Sequence, residues 1–259
     1  MSLIMSRFAA AKAIGLLGGT KDLAMLKEIA KSDADPRLQL EALGALLRLG
    51  HQPATEALVA YFDSPPREDL RMEAALVAGE VRNALAREAL LTMLGHSAVA
   101  EQEELRAAIV WNLGALAHGD LGALVPHLGD ASDLVAAHAA VGMGRKLTEP
   151  LRERLFEILR KPDLRASASA AWVLTRDEAD VVGSLVDLAE RDPIARGWAI
   201  SILGRRSPEE VTPLLHGNPD LLALVSPWWV VAPSRNWTST PAGAQLLDEL
   251  RRQVLVQGI

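Results

Sequence analysis

Small and aliphatic residues return along the chain with helical spacing inside each copy and a longer period between copies. The sharpest copy is Arg106-Ala-Ala-Ile-Val-Trp-Asn-Leu-Gly-Ala-Leu-Ala117, whose arginine is taken as position 0. Equivalent windows open at Arg7, Gln39, Arg71, Ala136, Ser167 and Arg196, so the seven copies follow one another at 32, 32, 35, 30, 31 and 29 residues. Positions +3 and +4 are small or aliphatic every time, as in Ala42/Leu43 and Ile109/Val110. Position +7 is always apolar: Ile14, Leu46, Ala78, Leu113, Met143, Leu174 and Leu203. Position +8 is glycine at Gly15, Gly79, Gly114, Gly144 and Gly204, with Leu47 and Thr175 as exceptions. These positions share one face of a helix. A period of about thirty residues predicts stacked helix pairs in which this motif helix is the second of each pair.

The motif helices begin with one at 3–18, and first-type helices are expected at 21–31, 53–63, 84–95, 120–129, 149–160, 178–190 and 208–216. Asp35-Pro36, Asp192-Pro193 and Ser207-Pro208 place a capping oxygen before a proline at the first helical position. Gly18-Gly19, Gly50, Gly119 and Gly217 fall where helices should stop. Ser64-Pro65-Pro66 breaks two helices without breaking the repeat, so it reads as a longer turn. The solenoid is assigned to 1–217, with 218–259 as a Trp-rich cap within the same domain: an apolar, proline-interrupted stretch, then a last helix from Thr240 to about 256. Residues 1–3, ahead of Met5, are set aside as a leader. The first motif helix has no first-type helix before it, so a longer chain, a partner or a second copy is expected over Leu3, Ile4 and Phe8.

The stretch Arg7-Phe-Ala-Ala-Ala-Lys-Ala-Ile-Gly-Leu-Leu-Gly18 resembles the HEAT-like repeat first named for its occurrence in phycobilisome lyases. The resemblance covers roughly residues 5–217. It implies an all-α fold, a right-handed α-α superhelix of about seven helix pairs. Such repeats serve in scaffolds, transport adaptors and pigment lyases and, in divergent form, in alkylpurine DNA glycosylases, so they carry fold more than function. In this family the position-0 arginine and an acid just before it usually form ladders between repeats. Asp69/Arg71, Glu104/Arg106 and Asp192/Arg196 match that pattern.

Positions +2, +5 and +9 point away from the motif's packed face, and in HEAT-like solenoids they line the concave surface. Along the copies they place Glu73 and Glu80 in one stretch, then Trp111, His138, Arg145, Trp172, Arg176, Trp198 and Arg205 in another. Trp and Arg dominate binding hot spots, and guanidinium groups both stack on indole and grip carboxylate or phosphate with two parallel bonds. With Asn112 added, these residues form the expected site for an anionic, partly apolar ligand. The competing reading packs the indoles between repeats and leaves the arginines solvated. A one-residue slip in the Ser167 window would turn Trp172 into the core. Glu73 and Glu80 are secondary candidates for a carboxylate pair, with polar surface as the plainer reading. Trp228, Trp229 and Trp237 form either a second recognition surface or, the favoured reading, a seal on the solenoid end.

Composition narrows the function. A net charge of −6 opposes general nucleic-acid binding. The absence of cysteine removes disulfides, thiolate nucleophiles and Cys-ligated zinc. No apolar run reaches the roughly 18 residues of a membrane span, and a cytoplasmic protein is expected. The six histidines show no metal-binding spacing, and neither a nucleophile elbow nor a phosphate-cradling glycine loop occurs. The leading expectation is a non-enzymatic scaffold without cofactor that holds a protein or peptide segment, acidic or aromatic, in its groove. A bilin (tetrapyrrole) lyase or chaperone of phycobilisome type and a DNA-lesion glycosylase-like binder are the alternatives, and the oligomeric state is left open.

Overall fold

The computed structural model describes residues 3–116 and 121–231, all of whose regular structure is helical. The chain divides into two compact units, Met1–Met143 and Gly144–Ile259. Unit 1 holds α1 (Leu3–Leu17), α2 (Leu23–Ser32), α3 (Pro36–Arg48), α4 (Pro53–Asp63), α5 (Leu70–Val81), α6 (Ala84–Leu94), α7 (Ser97–Glu101), α8 (Glu103–Ala115) and α9 (Asp133–Gly142). Short 3₁₀ segments, Thr20–Asp22 and Leu121–Gly129, lead into α2 and α9. Unit 2 holds α10 (Glu149–Leu159), α11 (Leu164–Arg176), α12 (Val182–Arg191), α13 (Arg196–Leu203), α14 (Pro208–Leu215) and α15 (Pro219–Val231).

The motif helices pack each on the next. In unit 1, α1 meets α3, α3 meets α5, α5 meets α8 and α8 meets α9, while in unit 2 α11 meets α13 and α13 meets α15. Leu46, Ala78, Leu113, Met143, Leu174 and Leu203 at +7 are buried. Burying each of the leucines stabilises the fold by about 1.5–3 kcal/mol. The +8 glycines explain how closely the helices approach. A methyl group at Gly15 would strike the backbone of Ala45, one at Gly114 the backbone of Gly142, one at Gly79 the carboxamide of Asn112, and one at Gly204 the side chain of Trp228. In the first three pairs the struck residue stands at +6 of the next copy. In these three copies position +8 is the socket for +6, whereas the Gly144 position faces open space.

Several starts follow the expected capping chemistry. Asp35 accepts from the Arg37 amide at 3.0 Å with Pro36 opening α3, and Ser207 accepts from the Glu210 amide at 3.3 Å with Pro208 opening α14. At Asp192-Pro193 the carboxylate instead accepts from Ile194 and Ala195, each at 2.9 Å, closing a turn before α13 opens at Arg196. The element expected at 120–129 is a 3₁₀ segment containing Pro126, which denies an α-helical ladder its donor. Helix α7 had no counterpart in the periodicity; at five residues it is too short to show one. The tail stretch forms one helix, α15, despite Pro227. Val225, Ser226 and Trp229 of α15 are buried. The helix expected after Thr240, with Trp237 and His118-Gly119, lies outside the described residues.

Candidate binding faces

The ladder arginines act on helix ends and on neighbouring copies. Arg71 donates to the carbonyls of Phe62 and Asp63 (3.0 and 3.1 Å) at the end of α4 and pairs with Glu68. Arg106 donates to the carbonyls of Val99 and Ala100 (3.1 and 2.8 Å) and grips Asp130 with two bonds of 2.9 and 3.0 Å. Arg7 pairs with Asp33. For Arg7 and Arg106 the acid stands just ahead of the next copy, whereas Arg71 takes Glu68 from its own copy. Asp69 pairs with Arg67 at 2.8 Å and Asp192 with Arg160 at 3.7 Å.

Positions +2, +5 and +9 in unit 1 begin with charges that satisfy one another. Glu80 pairs with Lys12 and, at 3.4 Å, with Arg48; Glu73 pairs with Arg37 at 2.8 Å. Half-buried Glu41 lies in the same field. Burial raises its pKa above 4.5, Glu80 and Glu73 add to the rise, and Lys12 and Arg48 oppose it. Farther on, the face turns apolar: Leu76, Trp111 and Val141, all at +5, are between 41% and 46% exposed. The Trp111 and His138 rings lie 5.1 Å apart at 54°. His138 Nδ1 is 3.2 Å from the Ala107 carbonyl, which only accepts, so this nitrogen carries the proton and donates.

Asn112 departs from the expectation. Only 8% exposed, it donates to the Ala75 carbonyl at 3.2 Å and seats its carboxamide over Gly79. It stands at +6, the position that faces the preceding glycine, and belongs to the core.

In unit 2 the free positions carry Trp and Arg. Trp172 is 36% exposed, and the Arg176 guanidinium, one turn on, lies 4.4 Å from its ring centroid. The register thus turns Trp172 outward. Such a contact is worth about 0.5–1 kcal/mol at an exposed site. Trp198 is half-buried and Arg205 exposed. Trp228 is 42% exposed, whereas Trp229 is 2% exposed and serves the core of this unit.

Arg145, Arg176 and Arg205, the +9 residues of consecutive copies, line one cavity of about 460 Å³ together with Arg206, Glu178 and Ser207. Sequence reasoning missed what holds this place. Asp177, 2% exposed, accepts from Arg152 Nε at 2.7 Å and from the Leu147 and Ala179 amides at 3.4 Å each. Arg152 also donates to the Leu147 carbonyl at 3.1 Å and pairs with Glu149, and its hydrogen bond to Asp177 raises its pKa. The loop of Arg145 is thereby fixed to the end of α11, and the Glu178 amide donates to the Arg145 carbonyl at 2.8 Å. No helical period marks a pair 25 residues apart in different helices. A larger cavity, of about 610 Å³, lies along α10 and α12 around Glu153, Phe156 and Asp187; there Arg160 and Arg191 pair with Asp192 and Asp187 at 3.7 and 3.6 Å.

No helix among the described residues is long and apolar enough to cross a membrane, and no three His, Asp or Glu there are placed to hold a metal ion. No protein-family model matches the chain, and no curated protein matches it in sequence.

Proposed function

We propose that the chain is a HEAT-like α-solenoid of the right-handed superhelical kind, a non-enzymatic cytoplasmic scaffold that holds an acidic or aromatic segment of a partner protein. The reading rests on the packing of each motif helix on the next within a unit and on the register of the free positions. The partner segment lies on the motif face of unit 2, where Trp172, Arg176, Trp198, Arg145 and Arg205 stand. One observation carries this choice: Trp172 keeps more than a third of its surface in water while Arg176 stacks on it. An exposed indole with a guanidinium already placed on its face offers a rigid anchor at small entropic cost. Trp111 and His138 of unit 1 form a separate aromatic contact.

The test is selection of acidic, aromatic-bearing peptides from a display library on the intact chain, followed by affinity measurements. Trp172→Ala and Arg176→Ala are expected to weaken the selected peptides about tenfold or more, with helical content unchanged by circular dichroism. Equal affinities for wild type and both variants would overturn the reading.

A further inference from the structure

The cavity at the end of α11 has more donors than an ordinary acidic side chain uses. Four guanidinium groups line it, from Arg145, Arg176, Arg205 and Arg206. Asp177 is committed to Arg152, and Glu178 lies between Arg145 and Lys146, at 3.5 and 3.9 Å. Among the described residues Arg176 and Arg205 have no carboxylate partner. Arg206 donates one Nη to the Leu174 carbonyl at 2.9 Å, and its Nε is buried without a partner. Glu209 and Glu210 also line the cavity, from the first turn of α14.

A carboxylate offers two oxygens, enough for one guanidinium fork. A phosphomonoester offers three, on a group bearing about −1.5 to −2 charges at neutral pH. The Arg176 guanidinium carbon lies 4.4 Å over the Trp172 ring, a contact that consumes none of the five N–H donors a guanidinium can offer a ligand. A volume of about 460 Å³ takes a phosphorylated side chain with room to spare.

We propose that this cavity, formed where the +9 arginines of consecutive copies converge with Arg206, binds the phosphomonoester of a phosphorylated side chain in the partner segment. The proposal rests on the reading of the unit 2 face as a binding surface and narrows its ligand.

Calorimetric titration of the intact chain with phenyl phosphate, N-acetyl-phosphoserine amide, benzoate and dimethyl phosphate tests it. Both monoesters should bind about tenfold or more tightly than benzoate or the diester. Their affinity should fall several-fold between about pH 7.5 and about pH 5, as the proton with pKa about 6 returns to the phosphate. Arg176→Ala and Arg205→Ala should each cost about tenfold, Arg176→Lys should recover only part of the loss, and Arg191→Ala should change nothing. Benzoate binding as tightly as the monoesters would overturn the proposal and leave the scaffold reading intact, as would acidic peptides binding where monoesters do not. A diester of equal affinity would overturn it in favour of a nucleic-acid backbone. Monoester binding indifferent to the arginine variants would identify an adventitious ion only. Failure of monoesters and acidic peptides alike would remove both readings.

Discussion

At +9 in unit 1, Arg48 and Glu80 stand in consecutive copies and meet at 3.4 Å, with Lys12 closing on the same carboxylate. At +9 in unit 2, Arg145, Arg176 and Arg205 follow one another, and no neighbouring copy offers an acid at that position. The motif and the register are the same. What differs is whether charge alternates or repeats from copy to copy. Alternation lets the face satisfy itself, whereas repetition leaves guanidinium groups for an indole, a nearby loop or a ligand. The sign of a single position per copy thus decides whether the charges of successive motif helices pair with one another.

The same contrast extends to the ion pairs. Asp177→Ala would leave Arg152, whose side chain is only 10% exposed, without its main acceptor. The expected loss is about 3–5 kcal/mol, read as a lower midpoint in urea denaturation followed by circular dichroism. Glu80→Ala removes a half-exposed partner of Lys12 and Arg48, and about 1 kcal/mol or less is expected in the same measurement. Equal losses would mean that the two units do not differ in how they use charge.

Binding should separate the faces next. Trp172→Ala is expected to weaken selected acidic peptides about tenfold, that is about 1.4 kcal/mol, and Trp111→Ala less than about threefold, both read by fluorescence anisotropy of labelled peptide. A larger effect at Trp111 would move the principal contact to the apolar stretch of unit 1.

The smallest effect concerns Glu41. Burial raises its pKa in the folded chain, so the folded state binds the proton more tightly than the unfolded state. Stability contributed by this group therefore falls as pH rises from the ordinary value through the raised one. Glu41→Gln should raise the melting temperature slightly at neutral pH. The gain should vanish below about pH 4, where the carboxyl is protonated in both states. A gain independent of pH would show that removing charge at Glu41 is not its cause.

Much of the local structure was legible in the residue pattern. Helices α3 and α14 start at the prolines that announced them, α13 opens three residues after Pro193, and the outward face of α11 carries Trp172 as its spacing requires. Asn112 was misplaced because a polar side chain near an exposed tryptophan looks like a site residue. Its slot exists only because Gly79, in another helix, leaves room for it. Trp228 and Trp229 are adjacent in sequence, yet on α15, which continues through Pro227, one is exposed and the other buried.

Period and spacing alone determined the helical class and the face that the motif helices from α3 onward bury, because the hydrophobic effect acts on local periodicity and needs no knowledge of the partner. Pairings across copies were decided only in three dimensions. Whether Arg48 is spent on Glu80, Arg152 on Asp177, or Arg176 on an indole depends on side chains tens of residues away arriving within a few ångströms. Coulomb attraction and hydrogen bonding are decided at that range, where sequence spacing is silent.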